Sequence, residues 1–361
     1  MKNLAQKPPA SLMQSRPRRH WGKALSLIAF AYPLSLAALA LAMQFIGESW
    51  WVTTALLYLP RILFGVPLPF VVLALLLGRM RKLLWTQLVA GVLLIFPLMG
   101  FVLPFPGAAS TPDARSFRLL SLNADSGNFG QAAIAARIIS ANPDVVLIQE
   151  GPFGGQKLSA ELHSAYPYVQ ASTQFIIASR FPILQTTDPD RVAYYGRQRS
   201  ARFMRYLLQT PLGVIAFYSV HPISPRGALN IHHFRDALHT LRTGAFLAGD
   251  PEANLGANTG LRALQVATAA ELATREGTAV VIAGDTNLPG LSSILRSHLS
   301  RFNDAFREAS WGFGFTFPAK RPFLRLDRIL SGPELEFKSF GVSCAGISDH
   351  LCVWAEIERR K

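Results

Sequence analysis

The chain has 361 residues, 50% of them hydrophobic and only 16% charged, with a mean hydropathy of +0.24 and a formal net charge of +14. This composition excludes a disordered chain, a collagen and a coiled coil. What remains is an unusually apolar globule or a protein with membrane-spanning segments.

Lys2, Lys7, Arg16, Arg18, Arg19 and Lys23 make residues 1–23 a basic arm. Three stretches without a charged residue follow, at 24–47, 62–78 and 83–105. About 20 apolar residues at 1.5 Å rise each cross the roughly 30 Å hydrocarbon layer. Transmembrane helices are therefore expected over 24–47, 58–78 and 83–105, the second reaching back into the apolar run before Arg61; two spans are the alternative. A cleaved signal peptide fits less well, because the first stretch exceeds an apolar core of roughly 7–15 residues and follows a long basic arm. Trp50 and Trp51 read as an interfacial aromatic belt.

Arg79, Arg81 and Lys82 fill the connection between the second and third stretches, whereas the first connection holds only Arg61 beside Glu48. The excess of basic residues on cytoplasmic connections then sets the N-terminus inside and, after three spans, everything beyond residue 106 outside the cell (inner or plasma) membrane. Two spans would return it to the cytoplasm. Residues 1–116 hold eleven Lys/Arg against two Asp/Glu. Most of the net charge thus belongs to the membrane part and says little about nucleic acid.

Residues 106–116 are a linker of helix breakers and small residues. Residues 117–361 read as one α/β domain. Short runs rich in Val, Ile and Leu at 118–123, 145–149, 175–179, 214–220, 280–283, 325–330 and 351–357 predict strands buried on both faces. Helices are predicted between them at 131–140, 156–163, 231–242, 260–275 and 291–299. Cys344 and Cys352 are the only cysteines. An extracytoplasmic compartment would let them bridge, and two small buried thiols on neighbouring strands are the alternative.

Acidic and amide residues gather at the strand ends. The first strand runs into Asn123-Ala124-Asp125, the second into Gln149-Glu150, and a later one into Gly284-Asp285-Thr286-Asn287; Asp327 and Ser348-Asp349-His350 come near the C-terminus. Ligands of open α/β folds bind at the carboxyl ends of strands, so these residues can converge on one pocket. A single strand-end Asp is more often a turn former or helix cap. Glu150 is different: it follows an apolar strand and precedes Gly151-Pro152, where a charge needs a partner. Carboxylates, amides and histidine without a thiolate favour Mg²⁺ or Mn²⁺ over zinc.

The ordered set Leu122-Asn123-Ala124-Asp125, Ile148-Gln149-Glu150, Ser219-Val220-His221, Gly284-Asp285-Thr286-Asn287, Leu326-Asp327 and Ser348-Asp349-His350 resembles the endonuclease/exonuclease/phosphatase (DNase I-like) superfamily. The resemblance runs in order over residues 117–358. It implies a four-layer α/β sandwich, two mixed β-sheets flanked by helices, here preceded by a bundle of about three transmembrane helices. It implies Glu150 as the principal metal ligand, with Asn123 beside it, Asp125 close by and Asp349 in the metal site or just behind it. Asp285 would orient or deprotonate the attacking water, and Asn287 would hold a phosphate oxygen and position Asp285. His350, oriented by Asp327, would face the scissile phosphate, and His221 would contact it. These residue types also suit in-line attack on a phosphoester, which needs an activated water, charge neutralisation and help for the leaving oxygen.

The expected activity is a membrane-anchored, divalent-metal-dependent phosphoesterase acting on lipid headgroups or lipid-linked substrates. The alternatives are a tethered extracytoplasmic nuclease and a non-catalytic membrane sensor of the same fold. The expected partners are the bilayer and a phosphate-ester substrate, and no feature points to a protein partner. For a nuclease the main support is Arg191, Arg197, Arg199, Arg202 and Arg205 interleaved with Tyr194, Tyr195, Phe203 and Tyr206, a pattern that can pair phosphates and stack bases, or suit anionic headgroups, or be a solvated face. Ala248-Gly249-Asp250 imitates the Gly284-Asp285 pair but lacks the Asn and reads as a loop. His232, Asp236 and His239 share a helix face that nothing completes as a zinc site. The 222–261 region is longer than the superfamily core requires and suggests a substrate-facing insertion.

Overall fold

The computed structural model describes residues 16–103, 115–152, 155–229 and 255–360, of which 16–20 only as backbone. The chain divides into two compact units, 1–40 with 61–99, and 41–60 with 100–361. Helix Arg16–Phe45, most of it in the first unit, supplies a 25-residue apolar stretch, Trp21–Phe45, and the stretch Arg81–Leu98 a second of 18 residues. Both are long and apolar enough to cross a membrane. A third span exists if Trp51–Leu57 and Arg61–Leu77, bent by 97°, count as one. Ala29, Val71 and Leu75 pack together, while Leu27, Leu34, Leu77 and Leu88 are exposed. That much exposed aliphatic surface suits a lipid environment. The last apolar helix stops at Leu98, and beyond it, within the second unit, Val102 bridges to Gly312 and Phe101 packs edge-on against Phe313.

The second unit is built on two six-stranded mixed sheets. Strands β1 (Ser116–Asn123), β2 (Val145–Gln149), β3 (Tyr168–Ser172), β4 (Phe175–Ser179), β13 (Leu335–Ser343) and β14 (Cys352–Arg359) form one, in the order β13-β14-β1-β2-β4-β3. Strands β5 (Ile183–Thr187), β8 (Phe203–Thr210), β9 (Gly213–Val220), β10 (Ala279–Asp285), β11 (Asn303–Asp304) and β12 (Asp327–Ser331) form the other, in the order β11-β12-β10-β9-β8-β5. β6 (Val192–Tyr194) and β7 (Arg197–Arg199) make a separate ribbon.

Alternation along each central strand sends side chains to two cores. Leu119, Leu147, Ile177, Phe217, Val281 and Ile329 meet between the sheets. Leu120, Val146 and Ile148 turn outward against Ile134 and Ile138 of helix Gln131–Ala141 and Leu158 of helix Gln156–Leu162. Ala216, Val280 and Ile282 turn outward against Leu261, Val266 and Ala269 of helix Leu255–Thr274. The result is a helix-sheet-sheet-helix sandwich, with central strands apolar on both faces as their composition requires.

The strands that patterning did not predict are, apart from β8, edge strands or the β6–β7 ribbon. β3 and β5 are largely exposed. β8 carries part of the Arg/Tyr stretch: Phe203 and Arg205 share its outer face, where Phe203 is buried and Arg205 is clamped by Glu276, while Tyr206 points between the sheets. The predicted strand at 325–330 begins at Asp327 instead, because the Arg325 guanidinium grips Asp304 through Nη1–Oδ1 (3.0 Å) and Nη2–Oδ2 (2.7 Å). Cys344 and Cys352 are joined as a disulfide with Cα atoms 5.4 Å apart, not left as two buried thiols. The helix expected at 231–242, the Ala248-Gly249-Asp250 loop and the His232/Asp236/His239 face lie outside the described residues.

Candidate active site

β1 and β2 run parallel, with Asn123 opposite Gln149, and so end together. β9 and β10 are also parallel, with Val220 opposite Gly284. The antiparallel neighbours start at the same edge: Asp327 opens β12 opposite Asp285, and His350 lies just ahead of β14 beside β1. Two pairs of strand ends and two strand starts therefore converge, although their residues come from the whole length of the domain. The Gly284 position needs glycine. Its φ is +147°, and a Cβ there would lie 2.1 Å from the Val220 carbonyl oxygen, so no other residue lets β10 approach β9 so closely.

A continuous set of contacts joins the converging side chains. Asn123 Nδ2 donates to Glu150 Oε1 and to Asp285 Oδ2, both at 3.1 Å. His221 Nε2 lies 3.1 Å from Glu150 Oε1 and 3.7 Å from Asp285 Oδ2. His350 Nδ1 is 2.8 Å from Asp327 Oδ2, leaving Nε2 3.7 Å from Asp285 Oδ2 and 4.0 Å from Asp349 Oδ1. The backbone N–H of Asn287 donates to Asp285 Oδ1 at 2.8 Å, while its side-chain amide donates to the Pro222 carbonyl at 3.0 Å. Asn287 thus orients Asp285 through its main chain. Glu150 and Asn287 both hold left-handed backbone, with φ of +47° and +50°, the kind of local strain that a surrounding structure must hold in place.

Charge and burial separate the carboxylates. Asp285 is buried, and desolvation lifts its carboxyl above the ordinary range against the pull of His350. Burial also pushes Glu150 up, but the hydrogen bond and charge of His221 and the Asn123 amide outweigh it and hold Glu150 down at about 2. Burial opposes charge on His350 too, and Asp327 and Asp285 overcome it, raising the imidazole to about 10. Asp125 is raised by burial and then by Asp349 and Glu150 nearby. The site therefore presents an ionised glutamate, a buried imidazolium and a carboxyl of raised basicity.

Two groupings of donors can be weighed as a cation site. Asp285, Asp327 and His350 have ligand atoms within 4.8 Å of one another. In that triad Asp327 Oδ2 and His350 Nδ1 are spent on each other, and all three residues are buried. Glu150 is ionised and its side chain is 34% exposed. Asn123, Asp125 and Asp349 lie around it as further oxygen donors, a hard set without sulfur. The Glu150 grouping is the more accessible of the two and offers the oxygen donors that a hard divalent cation takes.

Several residues that hold the site together were given no role by the motifs. Ser348 Oγ donates to the Asn123 carbonyl at 2.6 Å and accepts from the His350 N–H at 3.1 Å. Thr316 Oγ1 accepts from the N–H groups of Leu326 and Asp327. Gln174 Oε1 sits 2.7 Å from His221 Nδ1, and the buried Gln149 amide donates to Ser219 Oγ of the facing sheet at 2.9 Å. Arg226 Nη2 is 3.2 Å from Asp349 Oδ2. Ser348, Ser219 and Gln149 stand within motifs but their bracing contacts need the assembled sheets, and Thr316, Gln174 and Arg226 stand outside every motif. Within the Arg/Tyr stretch, Phe203 and Tyr206 are buried and Arg205 is clamped by Glu276, whereas Tyr195 is exposed and packs edge-on against Tyr194.

The sequence model of a family described as endonuclease/exonuclease/phosphatase matches residues 120–350. No curated protein matches the chain. Among solved structures, an endonuclease/exonuclease/phosphatase from Beutenbergia cavernae is similar at 15% identity and a TM-score of 0.49, over 68% of this chain and 72% of its own. A Staphylococcus aureus beta toxin variant with bound magnesium ions is 15% identical, with a TM-score of 0.46 over 67% and 99%. A 3′ phosphatase from Neisseria bound to a product DNA hairpin is 16% identical, with a TM-score of 0.48 over 66% and 98%.

Proposed function

The chain belongs to the endonuclease/exonuclease/phosphatase family, and from that premise we propose that it is a membrane-anchored, Mg²⁺- or Mn²⁺-dependent phosphoesterase that hydrolyses phosphate esters of membrane lipids or lipid-linked compounds. The observation that carries this reading is the meeting of Glu150, Asn123, Asp285 and the Asp327–His350 pair at one edge of the two sheets.

Glu150 and Asn123, with Asp125 and Asp349 around them, would hold the cation. When bound, it supplies charge neutralisation on the phosphoryl oxygens and polarises the ester. Asp285, made more basic by burial and oriented by the Asn287 N–H, takes a proton from the attacking water. As the water oxygen bonds to phosphorus, the bond to the leaving oxygen breaks. His350 keeps its proton on the Nε2 side through Asp327 and donates to the phosphoryl group, and His221 adds a second contact.

Two observations support an extracytoplasmic site. The first connection and the sandwich share one compact unit: Glu48 accepts from the Ser292 hydroxyl and from the N–H and hydroxyl of Ser293 at 2.8 and 2.7 Å. That connection lies one crossing from the basic N-terminal arm, and the sandwich reaches the same side only after an odd number of spans. The disulfide suits an oxidising compartment. The test is Mg²⁺-dependent hydrolysis by the purified full-length protein, on phospholipid vesicles and on plasmid in parallel, with Glu150→Ala as control. Headgroup or phosphate release lost in the variant supports the reading. Plasmid nicking without lipid turnover replaces it with a tethered nuclease, and no turnover of either removes it.

A further inference from the structure

A cavity of about 260 Å³ opens beside the catalytic cluster, walled by Tyr58, Pro225, Phe317, Phe323, Leu324 and Leu326 and reaching Asn287 and Arg226. Its lining is mostly hydrocarbon, but its inner end is tied to the reacting groups. The Phe317 ring lies 4.7 Å from the His350 ring, and the Tyr58 hydroxyl donates to the Asn287 carbonyl at 2.7 Å. Arg226 spans the two characters: its guanidinium covers the Phe317 ring at 4.3 Å and reaches Asp349 at 3.2 Å. The lining is thus apolar on one side and cationic on the side of the scissile position.

Tyr58 is unusual in origin. It comes from the connection between the first two apolar segments, three residues before Arg61, and follows Trp50 and Trp51. Tyrosine and tryptophan concentrate where a membrane protein meets the interface. One wall of the cavity is therefore supplied by chain that enters or leaves a bilayer within a few residues. A soluble polyanion has no use for such a wall, whereas the hydrocarbon next to a lipid's phosphate does.

We propose that this cavity binds the apolar group adjoining the phosphate of an amphiphilic phosphoester, with Tyr58, Phe317, Phe323 and Leu324 as the apolar wall and Arg226 facing the phosphate. The proposal rests on the phosphoesterase reading above and names the substrate class. The volume falls short of the roughly 300–1,000 Å³ of a site that encloses a whole drug-sized ligand. It takes the first carbons of the apolar group, and the remainder stays in the bilayer.

The test uses full-length protein in amphipol with Mg²⁺ and two soluble probes, methyl and octyl p-nitrophenyl phosphate, below the aggregation limit of the octyl ester. Burial of a methylene is worth about fourfold, so the octyl ester should be favoured in kcat/KM by roughly thirtyfold or more. Phe323→Ala should cut that preference roughly tenfold. Tyr58→Ser, on a separate element, should cut it as well and serves if the first variant does not fold. Partition into amphipol is the same for all variants, so a preference that survives both substitutions overturns the proposal. Equal hydrolysis of the two esters by the wild type overturns it too and leaves the phosphoesterase reading standing. If neither ester is hydrolysed, calorimetry with methyl- and octylphosphonate decides: tighter octyl binding lost in Phe323→Ala upholds the cavity while the catalytic reading falls, and equal binding removes both.

Discussion

His350 and Asp285 owe their chemistry to being buried next to each other's opposite. His350 is raised from 6.5 to about 10 because Asp327 and Asp285 outweigh the cost of burying its charge. A group raised on folding adds stability that is complete below its unfolded value and lost as pH rises through its folded one. The contribution to stability should therefore decline as pH rises above about 6.5 and be gone by about 10, whereas activity should hold until pH approaches about 10. Asp327→Asn removes the main support of the imidazolium, so the alkaline limb of a kcat/KM profile should move down by roughly one to three pH units; an unmoved limb would show that another group sets it. Glu150 works in the opposite sense. Lowered from 4.5 to about 2, its contribution is complete above 4.5 and lost as pH falls through about 2. Asp285→Asn keeps the shape and the hydrogen bond from Asn287 but cannot accept a proton, so kcat should fall by about 10²–10⁴. A loss of less than tenfold would take the role of base away from Asp285.

At the scale of elements, two junctions carry more than their sequence suggests. β10 must lie against β9 at Gly284, where a methyl group would meet the Val220 carbonyl at 2.1 Å. Gly284→Ala should destabilise the domain by about 3 kcal/mol, read as a lowered denaturation midpoint, and an unchanged midpoint would mean that the strands separate at little cost. The other junction is the docking of the first connection on the sandwich. Glu48 is buried and accepts three hydrogen bonds from Ser292 and Ser293, just ahead of the helical turn Leu295–Leu299. Glu48→Ala leaves those donors without their acceptor and should cost about 1–3 kcal/mol. A fragment starting at residue 117 lacks Glu48, Tyr58, Phe101 and Val102 together, so the domain is better studied in the full chain.

For the whole molecule, the decisive quantity is the number of crossings. Composition gives three apolar stretches, and the helices give two spans or three, depending on whether the bent pair counts as one. Packing of the first connection with the sandwich requires both on one side of the membrane. A reporter fused after Lys361 should therefore be active outside the cytoplasm, as should one inserted at the first connection, while one at the N-terminus should be active inside. A cytoplasmic reading at Lys361 would overturn the three-span arrangement and the extracytoplasmic substrate with it.

The family, the four layers and the residues that meet at the strand ends were legible in the sequence, because strands buried on both faces read as apolar runs and the chemistry sits where those runs stop. β3 and β5 were not, because an exposed edge strand has the composition of a loop, and β8, internal and mostly buried, was masked by its place in the Arg/Tyr-rich stretch. The division of labour within the site also needed the fold. That Asn287 orients Asp285 by its backbone, that Ser348 and Thr316 brace the His350–Asp327 pair, and that Asp285 and His350 are pushed to raised pKa values all depend on distances between strands far apart in the chain. Sequence determines which groups are present and which element ends they occupy. Only the tertiary structure decided that Tyr58 and Glu48, from a connection between apolar segments, would belong to the catalytic unit, because long-range packing leaves no periodicity or spacing for local sequence to record.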